Sequence, residues 1–270
     1  MSEQNHQYRD SALNLDQAYY YTLLLLVDTT TFSYAIIFRN KVLGYGEGYS
    51  VNELQNPSEL RDLLNSPFKK VVLGYTSSGF TLLPHSVINQ EHAANFARML
   101  DVKPDEKVLG RVLDDQNYLL CKVDSKLLDL SDRFNFKDMV FAGEGLVKVL
   151  AQNSPKDDVV YVNITGNKAD YLNFKGGALN FYNRFEFNSS DDLLYFTANI
   201  INELELHAPS AQISLSGDVT TTDGNYGQLS QYFSNTSINR ITLLELPGQI
   251  APHKALALIA LSLCASLEAA

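Results

Sequence analysis

Two stretches of the chain share one order of apolar and polar positions. From Tyr21 to Ser50, YTLLLLVDTTTFSYAIIFRNKVLGYGEGYS, an unbroken apolar run meets Asp28 and the triplet Thr29, Thr30 and Thr31, then passes into alternation. A short apolar run of this kind predicts a strand buried on both faces, and alternation predicts a strand with one wetter side. From Val159 to Asn188, VVYVNITGNKADYLNFKGGALNFYNRFEFN, the order returns, and Phe38 with Phe174 and Leu43 with Leu179 fall at one common spacing. Each copy sets a basic residue before an expected two-residue turn, Arg39 before Asn40-Lys41 and Lys175 before Gly176-Gly177. Asn and Gly supply the positive φ that tight hairpins require. Upstream, LLLLVDTTTFSYA corresponds to VVYVNITGNKADY once one residue is inserted. Each unit thus predicts three strands in succession.

The segments that follow agree in kind. After the first unit, NPSELRDLLNS predicts a helix and KKVVLGYTS a strand, with QEHAANFARML as further helix. After the second, Ser189-Ser190-Asp191-Asp192 suits a helix start. Leu193, Leu194, Phe196, Ile200, Ile201 and Leu204 then recur as one helical stripe. AQISLSGDV predicts a strand, and GNYGQLSQYF and the alanine-rich tail predict helices. Between the units, EKVLGRVLDDQNYLLCKVDSKLLDLSDRFNF reads as strand, acidic turn, strand and short helix. The helix of KDMVFAGEGLVKVL ends near Asn153 to Pro155, where a lobe boundary is expected. The resulting organisation is a polar extension over 1–18, a first lobe over 19–155 and a second over 156–270.

Composition narrows the classes of partner. The 270 residues carry 21 Lys+Arg against 31 Asp+Glu, a net charge of −10, which repels nucleic acid and anionic lipid. Cys121 and Cys264 form neither a disulfide framework nor a CxxC metal pair, and the N-terminus lacks a basic-then-apolar leader, so a cytoplasmic location is expected. Ala255 to Leu267 is apolar but shorter than the roughly 20 residues of a spanning helix, so membrane insertion is not expected. The N-x-S/T matches at Asn163, Asn188 and Asn235 read as chance matches in polar turns, and the five histidines lack metal spacing. Neither a P-loop nor a nucleophile elbow is present. GYGEG, Gly44 to Gly48, predicts a bulge or close crossing on the returning hairpin arm, and AGEG, Ala142 to Gly145, a turn into LVKVL.

Two β-β-β-α-β-α units about half a chain apart resemble the actin-like ATPase superfamily. The chain from about Tyr20 is more narrowly similar to the uncharacterised bacterial family called domain of unknown function 3822, on the strength of LLLVDTT, NITGNKADYLNFKGGALNFYNRF and ISLSGD. The resemblance implies an α/β fold of two similar RNase H-like lobes, each a mixed sheet of about five strands flanked by helices, with a cleft between them. It also implies a nucleotide site there. Asp28-Thr29-Thr30-Thr31 stands at the D-x-G-T-T phosphate motif, with Thr30 where glycine is expected. Asn163-Ile164-Thr165-Gly166-Asn167-Lys168-Ala169-Asp170 stands at D-x-G-G-G-T-x-D, with its leading acid replaced by Asn163 and one glycine, Gly166, kept. Leu215-Ser216-Gly217-Asp218 stands at the adenosine motif with one glycine of its pair. A Cβ obstructs close approach of backbone N–H groups to phosphate, and magnesium typically takes carboxylates besides phosphate oxygens.

The expectation is therefore a degenerate, non-hydrolysing member without a cofactor, acting as a binding or scaffold module for an unknown protein partner. The alternative is a working ATPase or phosphotransferase with Mg and ATP held by Asp28, Thr29, Thr30, Thr31, Gly166, Asn167 and Gly217. Asp28 and Asp170, placed at two facing turns, are the candidate acid–base pair. With 15 tyrosines and 14 phenylalanines, some rings are expected on an exposed interface.

Overall fold

The computed structural model describes residues 7–87, 95–134, 139–207 and 209–264. Three sheets organise them. A six-stranded sheet has the order β1-β4-β3-β2-β5-β9, formed by β1 (Gln7–Arg9), β2 (Thr22–Val27), β3 (Thr31–Phe38), β4 (Lys41–Ser50), β5 (Lys70–Tyr75) and β9 (Met139–Phe141). A five-stranded sheet has the order β12-β11-β10-β13-β14, formed by β10 (Val159–Thr165), β11 (Lys168–Lys175), β12 (Ala178–Glu186), β13 (Gln212–Gly217) and β14 (Asn235–Ile238). A smaller sheet, β6-β8-β7, comprises β6 (Gly79–Pro84), β7 (Glu106–Val112) and β8 (Asn117–Asp124). The helices are α1 (Asn52–Gln55), α2 (Arg61–Leu64), α3 (Ser125–Phe134), α4 (Ala142–Ala151), α5 (Ser190–Glu203), α6 (Gly224–Tyr232) and α7 (Pro252–Ala260). None among the described residues is long and apolar enough to cross a membrane.

The two large sheets repeat one another in register. In both, an antiparallel hairpin unit is followed by a parallel strand beside its first member, β5 beside β2 and β13 beside β10. The repeat is one residue longer than the matched phenylalanines suggest. The turns are Arg39-Asn40, with positive φ at Arg39, and Gly176-Gly177, with positive φ at both. A register shift follows each turn at the same place, between Ile36 and Ile37 and between Asn173 and Phe174. With this spacing Thr22–Ile37 runs parallel to Val159–Phe174 without any insertion. Thr165, not Asn163, then stands opposite Asp28 in the repeat.

Other expectations change for local reasons. NPSELRDLLNS holds only the single turn α2, because the Glu53 carboxylate gathers the N–H groups of Ser58, Glu59 and Leu60 at 3.0, 3.1 and 3.2 Å and wraps the chain around itself. Gln90 to Ala94 of QEHAANFARML lie outside the described residues, and the rest is helical, α-helix over 95–97 and a 3-10 turn over Arg98–Leu100. Residues 7–9 of the expected polar extension form the edge strand β1 against β4. Asn163 is buried within β10 and Asn235 opens β14, so neither lies in a polar turn. GYGEG runs along β4 where its pairing with β3 shifts, and a Cβ on Gly46 would meet the Tyr34 ring at 2.5 Å. AGEG is the first turn of α4 itself. Its Gly145 lies where a Cβ would meet the carbonyl carbon of Ala260 at 2.9 Å, so the residue lets α4 and α7 touch backbone to backbone.

The two lobes share a core. Leu25, Phe32, Tyr75 and Phe141 of the first sheet cluster with Leu172, Phe174 and Tyr182 of the second. The opposite face of the first sheet, with Leu24, Ala35, Val42 and Val72, is covered by Ala255, Leu258, Ile259 and Leu261 from the C-terminal helical segment. That segment, expected with the second lobe, packs on the first sheet and also touches β13 of the second. α5 begins with a capping box between Ser189 and Asp192 and covers the other face of the second sheet with α6, through Leu193, Ile200, Ile201 and Leu229.

Candidate functional site

The first hairpin turn leaves β2 at Asp28, and the second joins β10 to β11 through Gly166-Asn167. The first turn, with the end of β10 just before the second, borders a cavity of about 80 Å³, lined by Asp28, Thr31, Thr76, Asn163, Thr165, Asp170 and Arg184 among others. Ala142 and Gly143, the first turn of α4, form part of its wall. Of the candidate residues, Asp28, Thr31 and Asp170 line it, and Thr29, Thr30, Gly166, Asn167 and Gly217 do not.

Asp28 accepts hydrogen bonds from the Thr76 hydroxyl at 2.6 Å and the Thr29 N–H at 2.8 Å. Lys168 Nζ reaches both of its oxygens, at 3.2 and 3.3 Å. Burial pushes the Asp28 carboxyl up, but the Thr76 hydroxyl, the Lys168 charge and the Thr29 N–H together outweigh it and hold the group below its ordinary value. Thr31 O closes the turn on the Asp28 N–H at 2.8 Å, and Thr30 O takes the Val51 N–H at 3.0 Å. The threonine triplet therefore spends backbone groups on its own turn and on the start of α1. Thr29 and Thr30 are exposed, and Thr31 alone of the three lines the cavity.

In the second turn, the Gly166 N–H donates to the Asp218 carboxylate at 3.0 Å, and Asn167 O accepts from the Phe187 N–H at 2.9 Å. Gly166 adopts φ +56° with open space around it, so glycine here serves the turn. Gly217 serves a close approach. At φ +81° a Cβ would fall 1.9 Å from the Ile164 carbonyl oxygen, which accepts the next N–H, that of Asp218, at 2.7 Å. Asn163 is buried and accepts from the Ser216 hydroxyl at 3.1 Å.

Asp170 differs from its expected place. It lies within β11, opposite Asn163 on one side and Arg184 on the other, and not at a turn. It is 2% exposed. Arg184 grips it with two bonds, Nε to Oδ1 at 2.8 Å and Nη2 to Oδ2 at 2.9 Å, and the Tyr182 hydroxyl adds a third at 3.1 Å. Burial works against the charge on Arg184, yet the Asp170 carboxylate more than compensates and the guanidinium stays firmly protonated. Arg184 Nη1 also donates to Ser77 O of the first lobe at 3.1 Å, so the pair ties the lobes together. Asp28 and Asp170 share the cavity wall, but each faces its own cation, which removes the free acid–base pair.

Lys168 and Arg184 were not singled out by sequence. The signal for Lys168 was its place immediately after the Gly166-Asn167 turn, where the resembled motif carries small residues. For Arg184 it was a cation inside a strand otherwise rich in aromatic residues. A third interlobe bond runs from Asn117 Nδ2 to Leu179 O at 3.2 Å. Beside it, Phe80, Phe141 and Tyr182 form an aromatic cluster with centroids 4.7 to 5.9 Å apart.

A model of the family described as protein of unknown function, DUF3822, matches residues 10–236. The chain belongs to the DUF3822 family. No curated protein matches this DUF3822 chain in sequence. Among solved structures it is similar to a Bacteroides thetaiotaomicron protein described as having an actin-like ATPase fold and unknown function, with 18% identity and a TM-score of 0.77 over 94% of this chain and 100% of the other. It is also similar to a chain of the PilM-PilN type IV pilus biogenesis complex, with 9% identity and a TM-score of 0.62 over 90% of this chain and 97% of the other. The DUF3822 chain has the actin-like ATPase fold.

Proposed function

We propose that this DUF3822 protein is a non-hydrolysing binding or scaffold module whose interlobe cleft is closed by its own side chains. The observation that carries the reading is the double internal neutralisation of the two turns. Lys168, the cation best placed to receive a phosphate, is held by Asp28, and the Gly166 N–H is held by Asp218. Two carboxylates thus stand where triphosphate oxygens would be received, and an anion entering there meets them first.

Size argues the same way. Pockets for drug-sized ligands run to about 300–1,000 Å³, whereas this cavity of about 80 Å³ has room for only a few waters at roughly 30 Å³ each. Hydrated magnesium typically needs carboxylate and phosphate oxygens, and the two acids that line the cavity, Asp28 and Asp170, are taken by Lys168 and Arg184. The residues present do not fit a magnesium–nucleotide complex, and no reaction step is drawn through one. A protein partner is supported by Tyr195 and Tyr232, which are 62% and 66% exposed on α5 and α6, and by a structural neighbour solved as the PilM-PilN complex. Free, buried Cys121 and Cys264 agree with a cytoplasmic setting.

The test is thermal unfolding with and without Mg-ATP. A ligand at 100 times its Kd stabilises the native state by about 2.7 kcal/mol, which for a chain of this size raises Tm by roughly 5–10 °C. The expected result at millimolar Mg-ATP is no shift. A reproducible rise of several degrees, matched by a calorimetric binding isotherm, would overturn the reading.

A further inference from the structure

A second concavity lies on the second lobe, on the same sheet face as the cleft but at the opposite end of the strands. It is a groove of about 530 Å³ across β10, β13 and β14. Registers build its floor. Tyr161 pairs with Ser214 and Ser214 with Ser237, giving one row of side chains across three mutually parallel strands, and Val159 beside Gln212 gives the next. Parallel strands are ordinarily covered on both faces. Here α5 and α6 cover the face of Val160, Val162, Ile213 and Leu215, and this end of the other face lies open among the described residues.

The charge of the groove departs from that of the chain. Lys156 and Arg240 are exposed on its walls, no carboxylate lines it, and neither cation has an ion pair among the described residues. Of the acids that follow Lys156, Asp157 is turned to the Gly176 N–H, and Asp158 lies at the groove margin with its charge engaged by the amide of Gln212 at 3.1 Å. In a protein of net charge −10 this is a local site for anions. Its floor carries the hydroxyls of Tyr161, Ser214 and Ser237, and β14 at its margin is the last strand of the sheet, with the Thr236 N–H on Phe233 O and the Thr236 carbonyl under the Tyr226 hydroxyl.

We propose that this groove binds an extended, acidic segment of a partner protein, laid across the strands with carboxylates placed on Lys156 and Arg240. The partner class deepens the binding-module reading and rests on it only in taking the ligand to be protein. An extended chain suits a trough that crosses β10, β13 and β14, since the two cations on its walls supply charge complementarity and the rows of side chains on its floor supply specificity.

The experiment pans a phage-displayed library of random dodecapeptides on the full chain, then measures a fluorescein-labelled consensus peptide by anisotropy. The expected consensus carries two or more acids. Its affinity falls about tenfold or more in Lys156→Glu/Arg240→Glu, falls similarly in Ser237→Trp, which fills the floor without altering charge, and is unchanged in Lys168→Met. Equal urea midpoints for wild type and the groove variants establish that folding is intact. A consensus without acids, no consensus, an affinity untouched by the charge reversals, or full displacement by millimolar phosphate or citrate would each overturn the proposal. Mg-ATP melting curves on the same preparations separate the two claims. A nucleotide shift with intact peptide binding sinks the closed-cleft reading alone, and the converse sinks the groove alone.

Discussion

Replacing Arg184 by methionine tests the interlobe tie most directly. The shorter side chain keeps the apolar stem, but the two bonds to Asp170 and the bond to Ser77 O are lost together. Asp170, 2% exposed, is left with the Tyr182 hydroxyl as its remaining side-chain partner. Breaking one side of a buried pair costs about 3–5 kcal/mol, mostly because the surviving charge is stranded away from water. Urea unfolding at pH 7 should show a fall of that size with the m-value preserved. Asp170→Asn in the same background should recover part of it, so the double-mutant cycle gives a coupling of about 2 kcal/mol or more. A single-variant cost below about 1 kcal/mol, or a coupling near zero, would refute the claim that this pair is a buried strut.

Lys168→Met should destabilise by about 1 kcal/mol at pH 7, since both partners are partly exposed. Because the Asp28 carboxyl is held below its ordinary value, its contribution is present above the unfolded carboxylate range and disappears as pH falls through the folded value. The urea-midpoint gap between wild type and Lys168→Met should therefore narrow between pH 5 and pH 3, and a gap that widens there contradicts the assignment. Gly217→Ala combines positive-φ strain of about 1–3 kcal/mol with a clash at the Ile164 carbonyl. A drop in Tm of roughly 5 °C or more is expected by calorimetry, and a neutral variant would refute the close approach. Burial, helped by the Glu144 charge, raises the Cys264 thiol to about 11. Iodoacetamide at pH 8 should thus leave it unmodified by mass spectrometry until urea unfolds the chain.

The legible parts of the fold were those where local chemistry and tertiary demand agree. The two strand-hairpin-strand units, the Gly176-Gly177 turn and the Ser189 cap of α5 all carry their cause within a few residues. The acidic turn did too, since Asp114 Oδ1 accepts from the Gln116 and Asn117 N–H groups at 2.8 and 2.7 Å. The cleft was legible as a location, and its contents were not. Asp170 meets Arg184 only because one extra residue, Asn180, bulges from β12 between the turn and the pair. Straight counting from the turn would have set Asn183 opposite. Bulges of this sort follow from twist and packing across the sheet, which composition does not announce. The site of Lys168 was hidden for a related reason. Its partner Asp28 lies in the other half of the chain, and nothing local to either residue signals the other.

The last helical segment among the described residues lies over the sheet that forms first along the chain. Until Ala255 to Leu261 emerge from the ribosome, Leu24, Ala35, Val42 and Val72 lack their cover. A nascent chain halted after the second sheet would hold that apolar surface bare to water, and deleting Ala255 to Leu261 would uncover strands near the opposite end of the sequence.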